Sequence, residues 1–179
     1  MPRGSRSSAI DKQPVAGPVA IDELGLDGDE QFERRFHGGL TKAVYAYASE
    51  DLAWWSAQLG LPLEPGFIGE NLTTAGVDLN GLHPGDELHA GTVVLRVTGP
   101  RDPCAKLAAR VGVRGFGRAF GRAGRTGVYC AVLRPGCVRC GDSIAIANGA
   151  RSGLSIRALV AAKYGTAPDG SGSASGKRR

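Results

Sequence analysis

No apolar run in this 179-residue chain approaches the roughly 18 residues of a membrane-spanning helix. The basic start, with Arg3 and Arg6, leads into Ser, Asp and Lys instead of the apolar stretch of a secretory signal, so a cytoplasmic location and no membrane partner are expected. Cysteines number only four, and in a reducing compartment they serve as thiols, metal ligands or catalytic groups more readily than as a disulfide framework. Cys137-Val138-Arg139-Cys140 forms one Cys-x-x-Cys pair. Cys104, Cys130 and the histidines supply no second pair of matching spacing, so zinc is not expected and Cys137 and Cys140 read as incidental. The Gly-x-x-x-x-Gly-Lys-Ser/Thr spacing of a P-loop is missing. No flavin, haem or iron–sulfur motif is present, so any redox chemistry takes its electrons from a separate protein.

What is abundant is turn chemistry. Gly 28 and Pro 10 suit a single domain of short strands and tight turns and exclude a long helical bundle. The net charge is +5, but five bases sit in the terminal tails, and the body between them is close to neutral. Within that body the charges separate: residues 8–100 carry 14 acids and 5 bases, and residues 101–165 carry 12 bases and 2 acids. The basic half could attract a phosphorylated small molecule or a nucleic acid backbone.

Residues 1–7 and 166–179 have little to bury and read as flexible ends, which leaves a domain over 8–165. Strands are expected at 43–48, 92–98, 128–133 and 143–147, where β-branched or aromatic residues lie between Gly, Asp and Pro turns. Gly85-Asp86 and Gly141-Asp142 each launch a strand, a recurrence that suits similar corners in a β-barrel. A helix is expected from Ser49, read as its cap, to the Gly60 stop; a second from Pro103 to Gly112; a third over 155–164, closed by Gly165. Arg114, Arg118 and Arg122 are spaced for one solvated helix face, but Gly115, Gly117, Gly121 and Gly124 make a regular helix costly, and the conformation there stays open.

Three constellations carry chemistry. In Gly99-Pro100-Arg101-Asp102-Pro103-Cys104 a guanidinium precedes a thiol at a helix start, conditions that favour a thiolate able to ligate a soft metal or carry a persulfide, with Arg101 available for a phosphate. A buried structural cysteine beside a surface arginine fits the same pattern. His37-Gly38-Gly39 followed by Lys42 lets backbone amides approach a ligand, with His37 and Lys42 as donors, or is simply a turn. Gly69-Glu70-Asn71-Leu72-Thr73-Thr74 offers Asn71 and Thr73 to a heterocycle edge or a phosphate, or caps a strand end.

These pieces resemble the MOSC domain, the family named after the C-terminal part of molybdenum cofactor sulfurases, and within it the standalone bacterial YiiM-type branch. The resemblance rests on Ile10-Asp11-Lys12-Gln13-Pro14-Val15, the 25–31 segment, His37-Gly38-Gly39 with 42–47, Gly69-Glu70-Asn71-Leu72-Thr73-Thr74, Gly85-Asp86, Pro100-Arg101-Asp102-Pro103-Cys104 and Gly141-Asp142, in that order. It implies a mainly β, partly closed barrel with a few flanking helices. It also implies a molybdenum cofactor (molybdopterin) with Cys104 as metal ligand, and His37, Lys42, Asn71, Thr73 and Arg101 converging around it. The implied activity is an oxidoreductase that reduces the N–O bond of N-hydroxylated small molecules, fed by a separate electron-donor reductase. The alternative is a persulfide sulfur carrier on Cys104, supplied by a sulfur donor such as a cysteine desulfurase. A basic nucleic-acid-binding module is the remote third reading. Relatives usually carry a first strand before the segment matching 8–15, and only seven residues precede it here, so a sheet edge is expected there that a homodimer would cover.

Overall fold

In the computed structural model, residues 12–26, 28, 39–151 and 153–165 are described. Residues 1–7 and 166–179, read from the sequence as flexible ends, and His37 lie outside these. Two sheets organise the chain. The smaller joins β1 (Val19–Asp22), β2 (Gly25–Leu26) and β8 (Gly136–Val138) in the order β2-β1-β8. The larger, curled into a half-barrel, joins β3 (Val44–Ala48), β4 (Leu72–Thr74), β5 (Glu87–Ala90), β6 (Val93–Pro100), β7 (Val128–Arg134) and β9 (Ile144–Ala147) in the order β4-β3-β7-β6-β5-β9. Only β3 and β4 pair in parallel, and β6 shifts register against β7 twice, which bends the sheet.

The expected β-rich fold with flanking helices is therefore present. Its logic is clearest in β3, where all five residues are buried because the sheet is covered on both faces. Alternation sends Val44, Ala46 and Ala48 into the barrel with Leu88, Val93, Leu95, Val97, Val128 and Cys130. Tyr45 and Tyr47 face the other way, into a second core with Trp55, Ile68, Leu107, Phe116 and Phe120. That second core is roofed by α1 (Ser49–Leu59), α2 (Ala105–Val111) and α3 (Phe116–Arg122), and α4 (Ile156–Tyr164) packs against α3.

Helix ends differ from the sequence reading in detail. Ser49 is the first helical residue, not a cap, and its hydroxyl meets only Glu50. Asp51, in the first turn of α1, is buried and accepts from Asn80 Nδ2 at 2.8 Å and from Arg125. Asn80 in turn accepts from Thr126 N and Gly127 N, so the three side chains fix the entry to β7. Helix α2 begins two residues after Pro103, with Cys104 in the extended conformation of an N-cap. Ser155 does cap α4, accepting from Ala158 N, and Gly60, Gly112 and Gly165 close their helices in the left-handed region. The two Gly-Asp corners are alike: Asp86 accepts from His83 N and Asp142 from Arg139 N, each three residues back.

The open segment resolves into α3, and packing explains its glycines. A Cβ at Gly121 would lie 2.7 Å from the Tyr164 ring, whereas one at Gly117 would meet Pro103 Cβ at 3.7 Å, an ordinary contact. Arg114 falls outside the helix, before the left-handed Gly115, so only Arg118 and Arg122 share the helical face. Gly121→Ala is expected to cost about 1–3 kcal/mol by overpacking, and Gly117→Ala to be neutral or to gain up to about 1 kcal/mol of helix propensity, as read by chemical denaturation.

Candidate functional site around Cys104

Strand β6 delivers Arg101 and Cys104 to the open end of the sheet. Pro103 and Pro100 stiffen the turn, and Arg101 folds inward until only 5 % of it is exposed. Its Nη1 donates to the Ile68 carbonyl, its Nη2 lies 3.9 Å from Cys104 Sγ, and its plane sits 4.7 Å from the Tyr45 ring centroid. Among the described residues no carboxylate pairs with it. Burying an unpaired guanidinium is costly, since Arg stays charged at any accessible pH. The Cys104 sulfur, itself half-buried, is one group within reach of that charge.

Tyrosines wall this cation. Tyr45 and Tyr129 are cross-strand partners with ring centroids 5.3 Å apart, and burial pushes both phenols well above their ordinary range, so they stay neutral. Tyr45 Oη donates to the Thr126 carbonyl at 2.8 Å. Lys42 Nζ stands 5.4 Å over the Tyr129 ring and so joins Arg101 and Cys104 around one aromatic wall.

Beyond the thiol lies a cavity of about 440 Å³ lined by Pro103, Cys104, Ala105, Ala108, Gly117, Arg118 and Tyr164. Asp102, at its edge, accepts from Lys163 Nζ at 2.7 Å and from Tyr164 Oη at 2.8 Å. Partial burial works against the Asp102 charge, but those two hydrogen bonds outweigh it and hold the carboxyl below its usual range.

The residues read from the sequence are thus sorted. Arg101, Lys42 and Cys104 come together. Asn71 Oδ1 accepts from Tyr45 N at 2.9 Å and Thr73 Oγ1 donates to buried Glu70 at 3.0 Å, so both side chains hold the sheet edge and the loop that presents Ile68. Arg118, read as solvated, is exposed and also borders the cavity. Cys130 is fully buried as expected of a strand thiol, and Cys137 and Cys140 are exposed. Tyr45, Tyr129, Asp102, Lys163 and Tyr164 went unnoticed. The alternation of β3 could have placed Tyr45 beside Tyr47, but the Asp102–Lys163 pairing spans 61 positions and leaves no local trace.

A family model described as the MOSC domain matches residues 33–145, more than half of the chain. The chain belongs to the MOSC domain family. Among curated proteins it is 33% identical to the uncharacterized protein YflK of Bacillus subtilis, over 84% of this chain and 68% of that one. It is 36% identical to protein YiiM of Escherichia coli, over 74% of this chain and 61% of that one. A protein of Gibberella moniliformis named "Reductase" is 37% identical over 80% of this chain, which spans 26% of that protein. The crystal structure of YiiM from Geobacillus stearothermophilus superposes with a TM-score of 0.74 at 33% identity, covering 87% of this chain and 73% of that one. This places the chain close to the standalone bacterial MOSC proteins, of whose length it spans about two thirds.

The cysteines differ enough in setting to be told apart chemically. Burial pushes the Cys130 thiol up to about 12, so iodoacetamide at pH 8 should leave it unmodified until the protein unfolds. Half-buried Cys104 and exposed Cys137 and Cys140 should all be labelled in the folded protein, as read by peptide mass spectrometry over time.

Proposed function

We propose that this MOSC protein is a molybdenum-cofactor-dependent reductase of N-hydroxylated small molecules, with Cys104 as the metal ligand. The observation that carries the reading is a buried guanidinium with no carboxylate partner among the described residues, 3.9 Å from a half-buried thiol that opens on a cavity. That donor set fits the cofactor: a sulfur ligand suits a soft metal, and the adjacent cations suit a phosphate terminus. Cys104 would hold the metal, and Arg101, Lys42 and Arg118 would offer positive charge to the phosphate. Bound there, the cofactor would supply two-electron oxygen-atom transfer. The overall change is R–NHOH + 2 e⁻ + 2 H⁺ → R–NH₂ + H₂O, with the electrons from a separate donor.

The chain's own residues have definite tasks in this reading. Arg101 neutralises charge on the sulfur and, being clamped by Ile68 and Tyr45, fixes where the sulfur points. Asp102, Lys163 and Tyr164 form a hydrogen-bonded edge that keeps the cavity wall in place and could pass a proton along it. The name of the Gibberella relative supports reduction as the reaction class.

Elemental analysis of protein purified from a host that makes the cofactor tests this directly. Near-stoichiometric molybdenum is expected. Protein without molybdenum but with one extra sulfur on Cys104 would instead favour the persulfide carrier. Cys104→Ser should lower the rate of N-hydroxy reduction at least 100-fold while the circular dichroism is unchanged, because a hydroxyl is harder and stays protonated. Arg101→Ala should lower molybdenum content more than Arg134→Ala, at the opposite end of β7 about 20 Å away.

A further inference from the structure

The segment formed by α2, α3 and the turn between them carries Lys106, Arg110, Arg114, Arg118 and Arg122 and no acid. Several other cations are paired with carboxylates: Arg125 with Asp51, Arg151 with Asp86, Arg157 with Asp78 and Lys163 with Asp102. Arg114, Arg118 and Arg122 are exposed, and none makes an ion pair or hydrogen bond with another described residue. Val113 at the turn is also exposed, at 43%, which adds an apolar contact to the basic surface. The patch has a definite position, because Arg118 borders the cavity onto which Cys104 opens. Three exposed arginines without an ion pair among the described residues thus lie on one short segment beside the Cys104 cavity.

We propose that this helical hairpin is the docking face for an acidic electron-transfer protein. The inference rests on the reductase reading, in which each N–O bond reduced consumes two electrons that the donor loses, and no group of this chain can store them. Complementary charge speeds encounter and orients a transient partner without demanding tight binding, which is what repeated electron delivery needs. Single-stranded nucleic acid would answer the same charge but relies on exposed rings for stacking. Phe116 and Phe120 on α3 are 1% and 0% exposed, so this face offers no such platform.

The test uses the full chain with three probes: an acidic flavodoxin, an acidic plant-type ferredoxin and a 20-nucleotide single-stranded DNA. Binding is followed by surface plasmon resonance between about 10 mM and 100 mM salt, over which the screening length falls from roughly 30 Å to 10 Å. The expected result is that at least one carrier binds the wild type, that its affinity falls steeply with salt, and that Arg114→Glu/Arg122→Gln weakens it at least tenfold while Arg114→Lys/Arg122→Lys does not. Turnover driven by reduced methyl viologen should be the same in all three proteins. Carrier affinity unaffected by the charge-removing pair, no carrier binding at all, or DNA binding that alone depends on the pair would each overturn the proposal. Failure of the reductase reading shows separately, as absence of viologen-driven turnover in the wild type.

Discussion

Arg101 is the constraint around which this end of the molecule is arranged. A guanidinium brought to 5% exposure must be given acceptors and a sign-compensating neighbour, or the turn that carries it would not fold inward. Three separate parts of the chain meet that demand. Ile68 gives a carbonyl, Tyr45 gives the face of its ring, and Cys104 gives sulfur. Each contact in turn fixes its donor. The loop bearing Ile68 is tied down by Glu70, which accepts from Gly66 N at 2.7 Å and from Thr73, and the Tyr45 backbone is tied to Asn71.

The Gly69-Glu70-Asn71-Leu72-Thr73 segment thereby has a structural role in the site. Glu70 and Asn71 accept from the backbone N–H groups of Gly66 and Tyr45, and exposed Thr73 donates to Glu70, so the segment holds the groups that hold Arg101. A charge-stabilising residue is useful only if it does not have to reorganise when the charge arrives, and a clamped guanidinium meets that condition. The cost is borne by the second core, where Tyr45, Tyr47, Trp55, Phe116 and Phe120 pack the outer face of β3.

Glycine placement links this core to the cavity. Gly121 lets the Tyr164 ring lie against α3, and Tyr164 reaches Asp102, two residues from the thiol. Helix α4, far along the chain, becomes a wall of the site in this way. The same helix α3 points Phe116 and Phe120 inward and Arg118 and Arg122 outward, so one short segment joins the core, the cavity and the charged surface.

Much of the fold was legible from residues in order. Alternation and turn residues located β3, β6, β7 and β9 to within about two positions, because strand and turn preferences are set locally by backbone sterics and by side chains two or three residues apart. The order and spacing of short motifs were enough to indicate the family, and the pairing of Arg101 with Cys104 was legible because three residues separate them. The sequence did not show that α3 is helical, since the propensity cost of its glycines is local while the packing that offsets it comes from Pro103 and Tyr164. Nor did it show that Arg118 borders the cavity, that Asn71 bonds Tyr45 N and Thr73 bonds Glu70, or that Tyr129 stands beside Tyr45. Those facts depend on strand register and helix docking, which bring together groups dozens of positions apart; only the closing of the two cores decides which of them meet.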